Sequence, residues 1–329
     1  MTYRLGIAGS TKQTVMMAAT MAADPRFEIS FTLSPSPRPI GRKRELQKNP
    51  LQVWSEKKQI PAVVLEQKIL PELRSELEQF GAIDLLLVVD FGYLIPKWLL
   101  DYPKIAPLNI HPSALPKWRG SSPGQFVLLH QKLVDDSANS AITLMVMDQA
   151  LDQGPVIAQL PFVVKTDWTQ GDYYQHAFNL LAPQLADLVA DFATGKLLAQ
   201  VQPLESPTSI ARRLVKTDSF VAFENLRKLM EKSEKLVSPP TEQASLLTEM
   251  LGDQKLCPTR EAQIQLIHNA CRAFAPWPGL WTLVKTNQGE KRLKILSCHL
   301  EENRLVLDEV QSEGKEKCLY REYKNAILN

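Results

Sequence analysis

The segment "AIDLLLVV" (Ala82–Val89) is an apolar run that is interrupted only by Asp84, and it has the length of one strand. A strand that is apolar on both sides is typical of a sheet that is covered on both faces. We therefore predict that this segment is a strand of a parallel α/β sheet that is covered on both faces. The next residues, "DFGYLIP" (Asp90–Pro96), then begin the loop at the carboxyl end of that strand.

Segments with strand character alternate with helical segments on both sides of this run. The predicted strands are "YRLGIAG", "FEISFTL", "PAVVLE", "APLNI", "SAITLMVM" and "GPVIAQLPFVV", and the predicted helices include "TVMMAATMAA", "LPELRSELEQF", "IPKWLLDY" and "TQGDYYQHAFNLLAPQLADLVADFATGK". This alternation predicts a parallel sheet with helices on both faces. In such sheets, ligands bind beyond the carboxyl ends of the strands.

The pattern changes in the C-terminal third of the chain. Residues 207–256 are charged and are predicted to be helical or irregular, a helix is predicted at "TREAQIQLIHNACRAF", and short strands follow from Trp281 to "KCLYREY". A length of 329 residues fits two domains. We predict an α/β domain at 1–190, a linker at 191–206, and a small β barrel or sandwich within 207–329.

Composition argues against several classes of protein. A net charge of +2 gives no overall attraction to a polyanion, so a nucleic-acid contact would need a local basic patch. The four cysteines lack the spacing of zinc ligands. The longest apolar stretch is too short for a bilayer, and the strand pattern begins too early for a signal peptide. We therefore expect a cytoplasmic protein that does not contact a membrane.

The segment "LNIHPS" (Leu108–Ser113) ends a predicted strand with an amide and an imidazole. Two residues apart on a strand, Asn109 and His111 project from the same face. An amide can donate to an oxygen that gains negative charge, and an imidazole can act as an acid or a base near neutral pH. Asp148 or Asp152 could orient the imidazole. On spacing alone, a structural role for the Asn-x-His pair and a turn role for Asp152 are equally compatible with the pattern.

The order of these motifs resembles the signature of the tetrahydrofolate-dependent formyltransferases. "LNIHPSALPKWRG" followed by "MDQALDQGPVI" is similar to the active-site loops of the family, and "VVDFGYLIPKWLL" is similar to its folate-pocket segment. "RPIGRKRELQKNPLQVW" and "CRAFAPWPGLW" resemble a basic loop and a C-terminal motif of the branch that formylates methionyl-initiator-tRNA. By this resemblance, the first domain is a Rossmann-like formyltransferase domain, and the second is an OB-like tRNA-binding barrel.

The resemblance implies transfer of a formyl group from 10-formyltetrahydrofolate to the α-amino group of methionyl-initiator-tRNA, by a monomer that needs no metal. It implies that Asn109, His111 and Asp152 are catalytic. The residues implied to contact the folate are Val89, Phe91, Gly92, Tyr93, Leu94, Ile95, Ser113, Leu115 and Pro116. The residues implied to contact the tRNA are Arg38, Arg42, Lys43, Arg44 and Lys48. Since the substrate supplies the nucleophile, Ser113 is expected to fix its loop and not to attack.

The sequence departs from the family pattern at several positions. Asp90 stands where a small residue is usual, Pro112 follows the histidine where glycine is usual, and "AGSTKQT" (Ala8–Thr14) lacks the expected proline and aromatic residue. A formyltransferase for an amino-sugar nucleotide and a catalytically silent RNA-binding protein are the alternatives. The basic loop favours tRNA, although a solvated charge run is an equally ordinary explanation of it. The intact trio favours an enzyme.

Overall fold

The computed structural model describes residues 2–40, 45–66, 68–134, 139–231, 235–237, 245–287 and 289–328. The chain divides into two compact units that alternate along the sequence. The first unit comprises Met1–Ser121, Ala141–Phe162 and Tyr174–Ile210, and the second comprises Ser122–Ser140, Val163–Tyr173 and Ala211–Asn329. The boundaries at 190 and 207 stay a prediction about domains.

Strands and helices alternate through the first two thirds of the chain. In chain order, the strands are β1 (Tyr3–Gly9), β2 (Phe27–Pro35), β3 (Arg38–Ile40), β4 (Glu45–Gln47), β5 (Ala62–Leu65), β6 (Leu85–Val89), β7 (Ala106–His111), β8 (Asn139–Val146), β9 (Val156–Val163), β10 (Trp281–Thr286), β11 (Gly289–Glu301), β12 (Arg304–Ser312) and β13 (Lys317–Leu319). The helices are α1 (Lys12–Ala23), α2 (Pro50–Lys58), α3 (Leu73–Glu78), α4 (Lys97–Leu100), α5 (Pro123–His130), α6 (Gln170–Ala193), α7 (Phe223–Met230), α8 (Leu246–Gly252), α9 (Arg260–Phe274) and α10 (Tyr320–Leu328), with a short 3₁₀ helix at Lys216–Ser219.

Seven strands form one sheet in the order β5-β2-β1-β6-β7-β8-β9. The strands from β5 to β7 pair in parallel, and all five residues of β6 are buried. The prediction of a parallel sheet with the apolar run as a buried strand is therefore confirmed for β5 to β7, although the strand begins at Leu85 and not at Ala82. The chain builds outward from β1 to β2 and β5, and then continues on the other side of β1 at β6. The order thus reverses between β1 and β6, and the crevice beyond their carboxyl ends is the expected place for a ligand.

Gly9 allows β1 and β6 to approach closely at this crevice. Gly9 pairs with Val89, and a Cβ at Gly9 would lie 2.2 Å from the Val89 carbonyl oxygen and 2.3 Å from Thr14 Cγ2. Thr14 Oγ1 donates a hydrogen bond of 2.8 Å to the same carbonyl oxygen, which ties the start of α1 to the end of β6. A side chain at Gly9 therefore cannot be accommodated without moving one of these elements.

The second unit contains a four-stranded antiparallel sheet in the order β10-β11-β12-β13. Val284, Leu293 and Val310 form a buried cluster on this sheet, and Tyr320 and Tyr323 pack against the cluster. The prediction of a smaller, mainly β C-terminal region is therefore confirmed. Within the described ranges, no helix has both the length and the apolar character that a membrane crossing requires.

One strand departs from the expected parallel arrangement. β8 pairs antiparallel with β7. The chain between them forms α5, and α9 of the same unit holds the end of α5, because Asn269 Nδ2 donates to the carbonyl oxygens of Leu129 (3.1 Å) and Gln131 (2.6 Å). A parallel return would need a crossover helix packed on the sheet. The chain leaves α5 and re-enters the sheet in the opposite direction.

Two further local predictions differ from the structure. "KCLYREY" is predicted as a strand, but only its first three residues belong to β13, and Tyr320 begins α10. The helical spacing of Tyr320 and Tyr323 places both rings on the same buried cluster. α2 is a helix in a segment for which no helix is predicted, and Asn49 caps it by accepting a hydrogen bond of 3.1 Å from Gln52 N.

We expect Gly9→Ala to lower the free energy of unfolding by about 1–3 kcal/mol, the usual cost of forcing atoms into a packed site. The added methyl group would collide with the Val89 carbonyl oxygen. Thermal and urea unfolding would measure the loss. Gly171→Ala is the matched control, because its Cβ would lie 3.5 Å from Thr169 Oγ1, an ordinary contact at the start of α6. Equal stability of the Gly9→Ala variant and the wild type would contradict the close approach.

Candidate active site

β7 ends with the two residues that form the candidate reactive pair. β7 runs parallel to β6 with Asn109 beside Val88, so both strands end at the same edge of the sheet. Asn109 and His111 are two residues apart on β7, which places their side chains on one face. Asn109 is partly buried, and His111 is only 4% exposed. The amide and the imidazole therefore lie at the edge where a ligand is expected.

A carbonyl oxygen and a carboxylate flank the imidazole of His111. Nε2 lies 3.1 Å from the Trp118 carbonyl oxygen, and Nδ1 lies 3.7 Å from Asp152 Oδ2. A carbonyl oxygen only accepts hydrogen bonds, so this contact assigns a proton to Nε2. Nδ1, the other ring nitrogen, faces the carboxylate of Asp152. Asp152 lies at ion-pair distance from Nδ1, where its carboxylate can orient the imidazole ring.

The loop between β8 and β9 positions Asp152. The Gly120 N–H donates a hydrogen bond of 2.7 Å to Asp152 Oδ2. A Cβ at Gly154 would lie 2.0 Å from the Val146 carbonyl oxygen, so only glycine lets the loop pass this close to β8. Gln202 Nε2 donates to the carbonyl oxygens of Asp152 (3.0 Å) and Gly154 (2.7 Å). Hydrogen bonds thus hold both the backbone and the side chain of Asp152.

The loop after β7 is stabilised by hydrogen bonds around Ser113. Ser113 is fully buried, and its Oγ donates to the Lys117 carbonyl oxygen at 2.7 Å. The Ser113 carbonyl oxygen accepts from Thr143 Oγ1 at 2.6 Å, and Gln159 Nε2 donates to the Leu115 carbonyl oxygen at 2.7 Å. The hydroxyl of Ser113 therefore has a structural partner within the loop that carries Trp118.

Arg119 supports the site, and sequence analysis misses it. Its guanidinium is buried and donates to Gln202 Oε1 (3.0 Å) and to the carbonyl oxygens of Pro203 (2.7 Å) and Leu204 (2.9 Å). A buried guanidinium needs such partners, because an unpaired buried charge is very costly. The partners are 83 to 85 residues away in sequence, so no local sequence pattern predicts these contacts. Arg119 and Gln202 together join the loop after β7 to the loop that carries Asp152.

The residues expected to contact a folate differ in their burial. Apart from Ser113, they divide into buried Val89, Phe91 and Leu115, partly buried Tyr93, Ile95 and Pro116, and exposed Gly92 and Leu94. Phe91, Tyr93 and Ile95 pack against the hydrophobic core of the first unit. Leu94 is 88% exposed, so its side chain is available at the surface. Core packing accounts for part of this run, and folate contact stays a prediction for all of it.

The structure describes two of the five basic residues expected to contact tRNA. Arg38 lies in β3 and is exposed. Lys48 is exposed and forms an ion pair of 2.5 Å with Glu56, which neutralises part of its charge. Arg42, Lys43 and Arg44 lie outside the described residues.

Comparison with known proteins identifies the family. The family described as "Formyl transferase" matches residues 7–182, and the one described as "Formyl transferase, C-terminal domain" matches residues 261–305. The first match contains Asn109, His111 and Asp152.

Individual proteins are also similar to this chain. The methionyl-tRNA formyltransferase of Halalkalibacterium halodurans is 34% identical over 173 residues, which are 52% of this chain and 52% of the relative. That of Pseudomonas savastanoi pv. phaseolicola is 25% identical over 304 residues, which are 92% of this chain and 82% of the relative. The chain spans about half the length of several of the curated relatives it matches.

A solved structure has the same fold. It is the N-formyltransferase from Helicobacter canadensis in complex with folinic acid and dTDP-3-aminofucose. The TM-score is 0.55 at 16% identity, over 92% of this chain and 88% of that chain. The match to the family described as "Formyl transferase" covers more than half of the residues of this chain. The chain therefore belongs to the formyl transferase family.

Proposed function

We propose that this chain transfers a formyl group from 10-formyltetrahydrofolate to the α-amino group of methionyl-initiator-tRNA, in the cytoplasm, and so supports translation initiation. The observation that carries the proposal is the arrangement of Asn109 and His111 at the end of β7, with Asp152 3.7 Å from the imidazole. The choice of acceptor is supported by curated relatives that are methionyl-tRNA formyltransferases. The folate donor is supported by the family and by the folate compound in the Helicobacter protein.

Formyl transfer to an amine passes through a tetrahedral intermediate in which the formyl oxygen gains negative charge. The amide of Asn109 can donate a hydrogen bond to that oxygen, and a donor of this kind typically contributes about 10²–10³ in rate. His111 can place an imidazolium beside the same oxygen. Its Nε2 proton is shared with the Trp118 carbonyl oxygen and its Nδ1 faces Asp152, so the protein provides a partner for each end of the charged ring.

The protein does not have to supply a nucleophile in this reaction. The acceptor nitrogen attacks the formyl carbon, and N10 of the folate leaves. Ser113 is the nearby hydroxyl that a different acyl transfer would use, but its Oγ donates to the Lys117 carbonyl oxygen. The role of Ser113 in the proposed reaction is to hold the loop.

The basic segment that contains Arg42, Lys43 and Arg44 would contact phosphates of the tRNA acceptor end. The identity of the acceptor distinguishes this proposal from a formyltransferase for an amino-sugar nucleotide, because such a nucleotide has far fewer phosphates than a tRNA. The deciding experiment supplies purified protein with labelled 10-formyltetrahydrofolate and either charged initiator tRNA or an amino-sugar nucleotide. Label on the tRNA supports the proposal. Label only on the sugar, or on neither acceptor while the donor is intact, would overturn it.

We expect His111→Ala to lower kcat for formyl transfer by about 10²–10⁴, which is the usual contribution of a positioned acid or base. The dissociation constant for the tRNA should change by less than about threefold, because the change removes a group that acts on the intermediate. Single-turnover formylation and a binding titration measure the two effects. A loss of less than about tenfold in kcat would rule His111 out of the chemistry.

The matched control for this experiment is His299→Ala. His299 also faces a carboxylate, since its Nδ1 lies 2.8 Å from Asp308 Oδ1, but its side chain is 52% exposed in the second unit. Formyl transfer should be unchanged in this variant. Loss of activity in both variants would show that the assay reports stability and not chemistry.

We expect replacement of Arg42, Lys43 and Arg44 together by alanine to raise the KM for tRNA and to leave folate binding unchanged. Each lost phosphate contact lowers the slope of log affinity against log salt by about 0.7–0.9, so the slope should fall by about 2–3 units. Titrations at several salt concentrations measure this slope. The control replaces Lys57 and Lys58, two exposed lysines at the end of α2, and should leave the slope unchanged. An unchanged slope in the triple variant would contradict the proposed contact between this segment and the tRNA.

A further inference from the structure

Asp90 stands at the point where the strand order of the sheet reverses. It follows the last residue of β6, between the ends of β1 on one side and β7 on the other. Gly9 pairs with Val89, and Val88 pairs with Asn109, so Asp90 lies level with Ser10 and His111. A carboxylate therefore occupies the crevice in which a ligand of such a sheet is expected.

The loop after β1 fixes this carboxylate in place. Asp90 adopts a left-handed backbone conformation (φ 47°), which aspartate tolerates better than most residues. Thr11 Oγ1 donates to Asp90 Oδ2 at 2.9 Å, and Ser10 Oγ donates to the Asp90 carbonyl oxygen at 3.2 Å. Thr11 also caps α1 by accepting a hydrogen bond from Thr14 N. One oxygen of the carboxylate is thus tied to the start of a helix.

The other oxygen is open. The Asp90 residue is exposed, and no donor among the described residues reaches Oδ1. Desolvation by the surrounding protein raises the pKa of Asp90, against the opposing effects of the Thr11 hydrogen bond and the positive charge of His111. The carboxyl group therefore combines one oxygen that is held by Thr11, one oxygen that no described donor reaches, and electrostatic coupling to the imidazole at the proposed transfer centre.

The acceptor in the proposed reaction is a primary amine, which reaches the protein mostly as an ammonium ion. An α-amino group has a pKa of about 8, so near neutral pH its nitrogen has no free electron pair for attack. A formyl transferase of this kind has to bind a cation and remove one proton from it before the C–N bond can form. A fixed carboxylate beside His111 suits both requirements, whereas a neutral side chain at this position would suit neither.

We propose that Asp90 binds the ammonium group of the formyl acceptor and accepts the proton that leaves it, an inference that rests on the proposed amine formylation. The carboxylate takes one proton from the ammonium ion, and the freed electron pair attacks the formyl carbon. The bond from that carbon to N10 of the folate then breaks, and a second proton from the acceptor nitrogen is relayed to N10. The proton on Asp90 passes to solvent. The products are a formamide, tetrahydrofolate and one released proton.

The test compares wild-type protein with Asp90→Asn. Asparagine keeps the volume, tolerates the same backbone conformation and can still accept the Thr11 hydrogen bond, so the fold is expected to persist. We expect kcat/KM for methionyl-tRNA to fall about tenfold or more at about pH 6.5 and less than about threefold at about pH 8.5, because the amine is then largely neutral. His111 is the charged group that acts on Asp90 within the described residues, and it is unchanged in the variant. Asp101→Asn, an exposed aspartate paired with Lys97, is the matched control and should match the wild type.

Three outcomes would overturn the proposal. They are an unchanged kcat/KM, an equal loss at both pH values, and a loss that appears in folate binding but not in the KM for the acceptor. The last outcome would assign Asp90 to the pterin. The equal loss would assign it a structural role as the partner of Thr11.

A binding measurement separates this proposal from the proposed function. Methionine amide, a small cationic amine, is titrated into each protein loaded with folinic acid. Wild type should bind it at least about fivefold more tightly than Asp90→Asn at about pH 6.5, and equal affinities would overturn the role of Asp90. A wild-type protein that binds the amide by way of Asp90 but does not formylate methionyl-tRNA would contradict only the choice of acceptor.

Discussion

The close approach of β1 to β6 at Gly9 and Val89 is the constraint on which the rest of the site depends. Parallel pairing fixes the level of each residue relative to its neighbours, so the end of β6 determines where the end of β7 lies. Because the Gly9 position has no room for a side chain, three strand ends meet in one crevice. Asp90 and His111 are neighbours for this reason, although they belong to different strands. A displacement of β6 would move the carboxylate and the imidazole apart.

The geometry of the proposed active site also depends on the segment that is predicted to be a linker between the two domains. The predicted linker at 191–206 contains Gln202, which accepts from Arg119 and donates to the backbone of the Asp152 loop. Just beyond it, Thr208 Oγ1 accepts a hydrogen bond of 2.7 Å from Trp118 N. Trp118 in turn supplies the carbonyl oxygen that faces the imidazole of His111. The orientation of the proposed acid–base group therefore depends on residues about 90 positions further along the chain.

Features of the fold and of the candidate site that depend on local sequence patterns can be predicted from the sequence. The apolar run of β6 predicts a strand that is covered on both faces, and the two-residue spacing of Asn109 and His111 predicts one shared face. The capping residue Asn49 is likewise a local signal for the start of α2.

Other features depend on distant contacts and therefore have no local signal. The antiparallel direction of β8 has no signal in its own residues, and Arg119 is identified only by partners more than eighty residues away. Asp90 is visible in the sequence as a departure from the family pattern. Its neighbours Thr11 and His111 become known only when three strands are aligned.

The two carboxylates that act on His111 differ in the partners that the fold gives them. Asp152 faces Nδ1, and its Oδ2 also accepts the Gly120 N–H, in a loop whose backbone is hydrogen-bonded to Gln202. Asp90, an exposed residue, accepts a hydrogen bond from a hydroxyl on one oxygen, and no described donor reaches the other. Where neighbouring titratable groups have different surroundings, they can take different parts in a proton transfer. In the proposed reaction, the enclosed carboxylate stabilises a charge that stays within the protein, and the open carboxylate exchanges a proton with the substrate and with water.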